Sequence, residues 1–202
     1  TMQTTLDGRI AHADGTFWEP FAWGDPEQAY LNHYFRAADT WAMSRVLYDA
    51  VVPFWDAVAV GQPPEDAGEL GAADLEFAEI QHRLRKVVFS TSLDEPLTWA
   101  NATLVRDDAV EAVRAMKEER AGLLSTIGSV SLCRSLLRAG LVDRFRVVMF
   151  PVITGATGAE RIYDGYPDVA LEMLGSRTSD GRIQLVEYRP RVLEHPPLAP
   201  TP

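Results

Sequence analysis

The stretch from Leu123 to Ile162, LLSTIGSVSLCRSLLRAGLVDRFRVVMFPVITGATGAERI, constrains the fold of this chain more than any other. Two leucines open it as a short strand, and Ser125-Thr126-Ile127 leads into Gly128-Ser129. Val130, Cys133, Leu136 and Leu137 then recur at helical spacing up to Gly140, a helix stop. A second apolar run, Val147 to Ile153, ends in a loop containing Gly155 and Gly158. Strand, glycine turn, helix, strand is a βαβ order, and it commits the chain to an α/β architecture. Where a strand meets a helix at a small-residue turn, the first N–H groups of the helix are unpaired and can face an anion. The same glycine also serves as plain architecture, so the turn alone leaves both readings open.

The bulk properties narrow the field. A chain of 202 residues, 47% hydrophobic and 24% charged, has the composition of a water-soluble globular protein and the length of one α/β domain. We expect a single domain over residues 1–190 and a flexible proline-rich tail over 191–202. A net charge of -10 argues against a broad nucleic-acid or anionic-membrane surface. No apolar run reaches the ~20 residues of a membrane helix. The single Cys133 falls on the apolar helix face and reads as a core residue in a reducing, cytoplasmic setting.

Taken in order, Met2 to Leu6 is a first strand, broken at Asp7-Gly8-Arg9. That polar turn places Asp7 and Gly8 at the carboxyl edge of a sheet, where α/β ligands bind, or is a turn in which Asp7 caps its own backbone. Phe17, Trp18, Phe21 and Trp23 form an aromatic loop that stacks a flat ring or covers the core. Asp25-Pro26 starts a helix with Asp25 as N-cap, and Trp41-Ala42-Met43 is a buried parallel strand. Ser44 starts a helix that Pro53 ends, with Arg45 in its first turn, paired either with an anion or with Asp49. Gly61 to Gly71 is a loop, Ala72 to Arg85 a helix, and Lys86 to Phe89 a strand ending in Ser90-Thr91-Ser92. Trp99 and Thr103 to Val105 suggest another strand, and Asp107-Asp108 caps a helix to about Glu119. After the central unit, Ala170 to Arg177 and Arg182 to Arg189 are strands joined at Ser179-Asp180-Gly181, a hairpin signal. The count is eight or nine strands and four or five helices.

No metal-ligand spacing is present among four scattered histidines and one cysteine, nor a GxGxxG, a Walker A sequence or a nucleophile elbow. What recurs is a strand end followed by hydroxyls, glycine or arginine: Asp7-Gly8, Ser44-Arg45, Ser90-Thr91 and Gly128-Ser129. Such groups converging on one sheet edge suit a phosphate-bearing cofactor, so the residues alone lead to a nucleotide or dinucleotide binder.

Five segments carry a resemblance: TLDGRIA at Thr5 to Ala11, MSRVLY at Met43 to Tyr48, VVFSTSL at Val87 to Leu93, IGSVSL at Ile127 to Leu132, and LLRAGLVDRFRVVMFPVITGATG at Leu136 to Gly158. With them the chain resembles the dihydrofolate reductase-like fold, and in particular stand-alone relatives of the C-terminal reductase domain of the bifunctional riboflavin biosynthesis deaminase-reductase. The resemblance implies a three-layer αβα fold with a mostly parallel central sheet and a C-terminal antiparallel hairpin. It also implies a homodimer that uses NADPH. It places Ser44 and Arg45 at the helix that meets cofactor phosphate, and Ser90 and Thr91 near the adenosine 2′-phosphate. Ile127, Gly128, Ser129, Val130 and Ser131 would wrap the pyrophosphate. Thr5 and Trp18 would touch the cofactor; Asp7, Gly8, Trp23, Thr126 and Gly155 would line the substrate side, with Asp7 the catalytic candidate as orienter or proton relay.

The implied activity is hydride transfer to a small pterin- or pyrimidine-like heterocycle, as in 5-amino-6-(5-phosphoribosylamino)uracil reductase. This chain reads Ser44-Arg45-Val46-Leu47 where such relatives have Gly-Arg-x-Thr, carries Val130 at a close backbone approach, and has Thr126 where the riboflavin reductases have a glutamate. Leu31 stands where true dihydrofolate reductases carry a carboxylate. A second class therefore stays open: a non-catalytic nucleotide-binding or sensing module of the same fold.

Overall fold

The computed structural model describes residues 1–12, 24–119, 122–179 and 181–196. In chain order its elements are β1 (Met2–Thr5), β2 (Arg9–His12), α1 (Asp25–Ala37), β3 (Thr40–Ser44), α2 (Arg45–Ala59), α3 (Ala72–Arg83), β4 (Arg85–Phe89), β5 (Ala102–Val105) and α4 (Ala109–Glu118). They continue with β6 (Leu124–Ser125), α5 (Val130–Arg138), β7 (Phe145–Phe150), β8 (Gly158–Arg161), β9 (Val169–Ser179) and β10 (Ile183–Val192). Among the described residues this makes ten strands, more than the eight or nine expected. The short β8, Gly-Ala-Glu-Arg, has no apolar alternation to announce it and exists through pairing with β2. The chain forms two compact units, Trp23–Leu132 and the segments Thr1–Ala22 with Cys133–Pro202. We refer to them as the middle and the terminal unit.

The middle unit is built on a parallel sheet of order β5-β4-β3-β6. Trp41, Ala42 and Met43 of β3 and Val87 and Val88 of β4 are almost wholly buried, as an apolar run in a parallel strand requires. Phe35, Trp41, Phe77 and Trp99 pack edge to face across this core, at centroid distances of 5.0 to 5.8 Å. Trp99 contributes to that core from a turn, outside β5.

Three helix boundaries differ from the sequence expectation, α3 stopping at Arg83, short of Arg85, which already belongs to β4. Gly24, not Asp25, is the N-cap of α1: its N–H donates to the Glu27 carboxylate at 3.2 Å, the reciprocal half of a capping box, and Asp25 and Pro26 fill the first turn. Pro53 does not end α2, which runs on to Ala59. A proline inside a helix costs about 3 kcal/mol. Beyond it Trp55 packs against Phe77 at 4.7 Å and Val58 is buried, so apolar burial of comparable size offsets that cost.

The terminal unit holds a mixed sheet of order β1-β7-β10-β9, in which β1 and β7 are parallel and β7, β10 and β9 antiparallel, together with the β2-β8 pair. The hairpin read around residue 180 is present, with Arg182 N–H donating to Ser179 at 3.0 Å and Gly181 at φ +66°. Residues 191 and 192, expected in a flexible tail, belong to β10, which continues through Pro190 to Val192, opposite Leu171 to Val169. The strand tolerates this proline because β7 pairs β10 only over Gln184 to Tyr188, so the missing N–H falls where no second strand needs it. Helix α5 ends at Gly140, φ +67°, with Gly140 N–H on Leu137 and Leu141 N–H on Leu136, both 3.0 Å, which satisfies its last carbonyls.

Candidate functional site

The residues picked from sequence fall into two groups, one in each unit. In the middle unit the chain leaves β3 towards β4 on one side of the sheet, while β6 pairs with β3 on the other. The carboxyl ends of β3 and β6 thus meet at the point where strand order reverses, the usual ligand crevice of a parallel sheet. Ser44 closes β3 as the N-cap of α2, with no side-chain cap bond of its own. Thr126 to Ser129 leads from β6 into α5, and Gly128 and Ser129 both lie in the left-handed region, at φ +61° and +53°.

A serine held there costs on the order of 1 kcal/mol, and hydrogen bonds retain it. Ser44 N–H and the Ser44 hydroxyl each bond Ser129 Oγ at 3.1 Å. These contacts tie together two helix starts, whose first N–H groups have no partner within their own helix. A Cβ on Gly128 would meet only the Leu47 Cδ1 methyl, at 3.7 Å, so the backbone there is approachable and partly floored by an apolar group.

Arg45 makes the Asp49 pair, one of its two sequence readings. Its Nε donates to Asp49 at 3.0 Å, and its Nη1 reaches the Ser92 hydroxyl at 2.9 Å, with the side chain half exposed. Ser90 closes its own turn instead, accepting from the N–H groups of Ser92 and Leu93 at 3.1 Å each. Thr91 is exposed, and its carbonyl accepts from Arg106 Nη1 at 3.3 Å, while Arg106 Nη2 holds the Leu93 carbonyl at 2.8 Å. Sequence reasoning missed Arg106, which lies one residue past β5 with no motif around it. Ile127 packs against the core, Val130 is buried and Ser131 exposed.

The second group sits where β1 and β7 end side by side in the terminal unit. Asp7 Oδ1 accepts from the Thr5 hydroxyl at 2.7 Å and from Thr154 N–H at 3.2 Å, while Arg9 Nε donates to Oδ2 at 3.3 Å. The Thr5 hydrogen bond, with those from Thr154 and Arg9, holds the Asp7 carboxyl below the usual carboxylate range against the opposing effect of desolvation. An ionised Asp7 serves as an orienting anion, and it ties the β1–β2 turn to the loop after β7. Gly155 follows Thr154 in that loop and is exposed. Gly8 takes φ +80°, and a Cβ there would stand 3.2 Å from Cε2 and 3.3 Å from Cδ2 of Tyr163, so the ring abuts this turn. Tyr163 was not anticipated either, since its place depends on the unforeseen β2–β8 pairing. Gly158 has no room for any side chain: a Cβ would be 2.3 Å from both Arg9 Cδ and Thr154 Oγ1.

Trp18 and Trp23 lie outside the described residues, as do Phe17 and Phe21. Among the described residues no cluster of His, Cys, Asp or Glu could hold a metal ion, and no helix is long and apolar enough to cross a membrane.

Comparison with known proteins bears on the family and the fold. The chain is 26% identical over 189 residues to YyaP of Bacillus subtilis strain 168, an uncharacterized protein, covering 93% of this chain and 92% of YyaP. A structure assigned to riboflavin biosynthesis, from Shewanella sp. PV-4, superposes with TM-score 0.68 at 16% identity, covering 94% of this chain and 96% of that one. The diaminohydroxyphosphoribosylaminopyrimidine deaminase/5-amino-6-(5-phosphoribosylamino)uracil reductase of Thermotoga maritima gives TM-score 0.63 at 17% identity, over 94% of this chain and 56% of that one. The fold is thus the α/β, dihydrofolate reductase-like one expected from the sequence. With residues 1–185 matched by the profile of the RibD C-terminal domain, the chain belongs to the RibD C-terminal domain family.

Proposed function

We propose that this protein is an NADPH-dependent reductase that delivers hydride to a small pterin- or pyrimidine-like heterocycle. The observation that carries the reading is the Ser44–Ser129 junction, which joins two helix starts beside the open, left-handed Gly128. Such an edge fits a pyrophosphate: backbone donors, two hydroxyls and room for close approach. In this reading Gly128, Ser129 and the start of α5 hold the pyrophosphate, with Ile127 and Val130 supporting the turn. Arg45, Ser90 and Thr91 face the phosphate on the adenosine. The nicotinamide supplies the hydride, and the protein supplies position and electrostatics. Thr5, Asp7 and Gly8 form the substrate side, with ionised Asp7 orienting a polar edge of the heterocycle.

One observation favours the second reading, a nucleotide-binding module without turnover. The Leu47 methyl leans over Gly128, where relatives of this family place a threonine hydroxyl. A screen of oxidised pterins and pyrimidines, followed by loss of NADPH absorbance, separates the two. Turnover on any of them supports the reductase, and NADPH binding with no turnover across the set supports the module. We also propose a homodimer, which the exposed Leu171 and Met173 on the edge strand β9 favour.

A further inference from the structure

The turn that carries Asp7 is bordered by apolar side chains facing water. Leu6 is 62% exposed and its N–H donates to the Val152 carbonyl at 2.9 Å, which places it beside Ile153, itself 68% exposed. Ile153 precedes Thr154, whose N–H holds Asp7. On the other flank the Tyr163 ring lies against Gly8 with 48% of the residue exposed, supported from behind by Tyr166 at 6.2 Å. Among the described residues an isoleucine, a leucine and a tyrosine thus stand exposed beside one carboxylate, and an exposed apolar border around a polar group is how small-molecule sites are built.

Two arginines face each other across the β2–β8 pair, Arg9 and Arg161, and Arg9 is already engaged. Arg9 donates from Nε to Asp7 and from Nη1 to the Gly158 carbonyl at 2.8 Å. Its charge is thereby matched to the protein's own acceptors. A phosphate brought next to Asp7 would have to compete with this carboxylate for Arg9 and would meet apolar side chains. A flat, uncharged ring would meet an aromatic face and one orienting acceptor.

We propose that Tyr163, Leu6 and Ile153 form a platform for the ring of the substrate, and that the substrate is a flat, uncharged bicyclic heterocycle without a phosphorylated sugar on the Asp7 side. The inference rests on the reductase reading above and narrows its substrate class. It makes Tyr163 a specificity-determining residue, with Asp7 selecting an N–H edge of the same ring.

Two probes test it: lumazine, an uncharged bicyclic heterocycle, and uridine 5′-monophosphate, a phosphorylated pyrimidine nucleotide. Each is titrated by fluorescence or calorimetry in the presence of saturating NADPH. Lumazine is expected to bind at least tenfold more tightly than the nucleotide. Tyr163→Ala should weaken lumazine by roughly 5-fold to 100-fold, the range expected for one lost stacking contact, while Tyr163→Phe should retain it. Because Leu6 and Ile153 are exposed, Leu6→Ser and Ile153→Ser keep the fold and should each weaken lumazine severalfold. Tighter binding of the nucleotide, failure of lumazine to bind, or indifference of lumazine to all three truncations overturns the proposal. A parallel NADPH titration on each variant keeps the two readings apart. Intact NADPH affinity with no lumazine preference sinks this inference alone, and absent NADPH binding sinks the reductase reading.

Discussion

Lys86 offers a prediction that can be worked through from the structure. It stands on β4, wholly buried, with Nζ donating to the Ala100 carbonyl at 2.8 Å and lying 4.6 Å above the Trp99 ring. Burial lowers its pKa from the ordinary 10.5 to about 8, with the Asp56 carboxylate opposing the change only in part. At about 1.4 kcal/mol per unit, the charged form in the folded protein carries a penalty of roughly 3 kcal/mol relative to the unfolded chain. The sign follows from proton counting. Below pH 8 both states hold the proton and the penalty is constant. Between about 8 and 10.5 the folded protein has released the proton while the unfolded chain still binds it, so stability rises with pH.

Urea unfolding of the native protein and of Lys86→Met, from pH 7 to 10.5, isolates this effect. Groups common to both cancel, and the difference in stability should move in favour of the native protein by about 2–3 kcal/mol over that interval. A difference flat to within roughly 0.5 kcal/mol would refute the reasoning.

Three further outcomes are expected. Gly158→Ala forces a Cβ to within 2.3 Å of Arg9 and Thr154 and 2.7 Å of the Thr154 carbonyl oxygen. It should cost about 1–3 kcal/mol, visible as a lower thermal midpoint, whereas Gly175→Ala, with open space around it, should be tolerated. Asp7→Asn leaves Arg9 without its anion and should lower the thermal midpoint at pH 7. Since the folded-state pKa of Asp7 is lowered, the native advantage over this variant is full above the ordinary carboxylate range and fades as acid protonates the carboxyl, which acid titration of both proteins would reveal. Leu171→Glu combined with Met173→Glu should convert the proposed dimer to a monomer in light scattering; a monomeric native protein, or an unchanged dimer mass, would contradict this interface.

Much of the fold was legible because local signals and burial agreed. Trp41-Ala42-Met43 reads as a parallel strand and is one, since a short apolar run bounded by polar residues has few other uses. The Gly140 stop and the hairpin at Gly181 follow from backbone preferences that few residues other than glycine satisfy. Pro53 misled because helix propensity is a local quantity, while the packing of Trp55 on Phe77 is not. Strand β8 was invisible because its pairing with β2 spans about 150 residues of sequence and leaves no periodicity. At the candidate site, the Ser44 and Gly128-Ser129 turns were readable as strand ends. Their union through Ser129 Oγ was not, nor were Arg106 and Tyr163, which reach their places through backbone carbonyls and a glycine surface that no motif encodes.

The central claim is that the edge formed by Ser44, Arg45, Gly128 and Ser129 holds the phosphates of NADPH. Five tryptophans supply the signal for a direct titration of the native protein with NADPH, and with NADH as control. The account predicts saturable quenching at micromolar NADPH, with NADH much weaker. It further predicts that Arg45→Ala reduces affinity by about 10-fold to 100-fold, the loss of a charged hydrogen bond of roughly 1.5–3 kcal/mol, and that Ser129→Ala weakens it as well. Absence of binding at millimolar cofactor, or equal affinity in all three proteins, would contradict it.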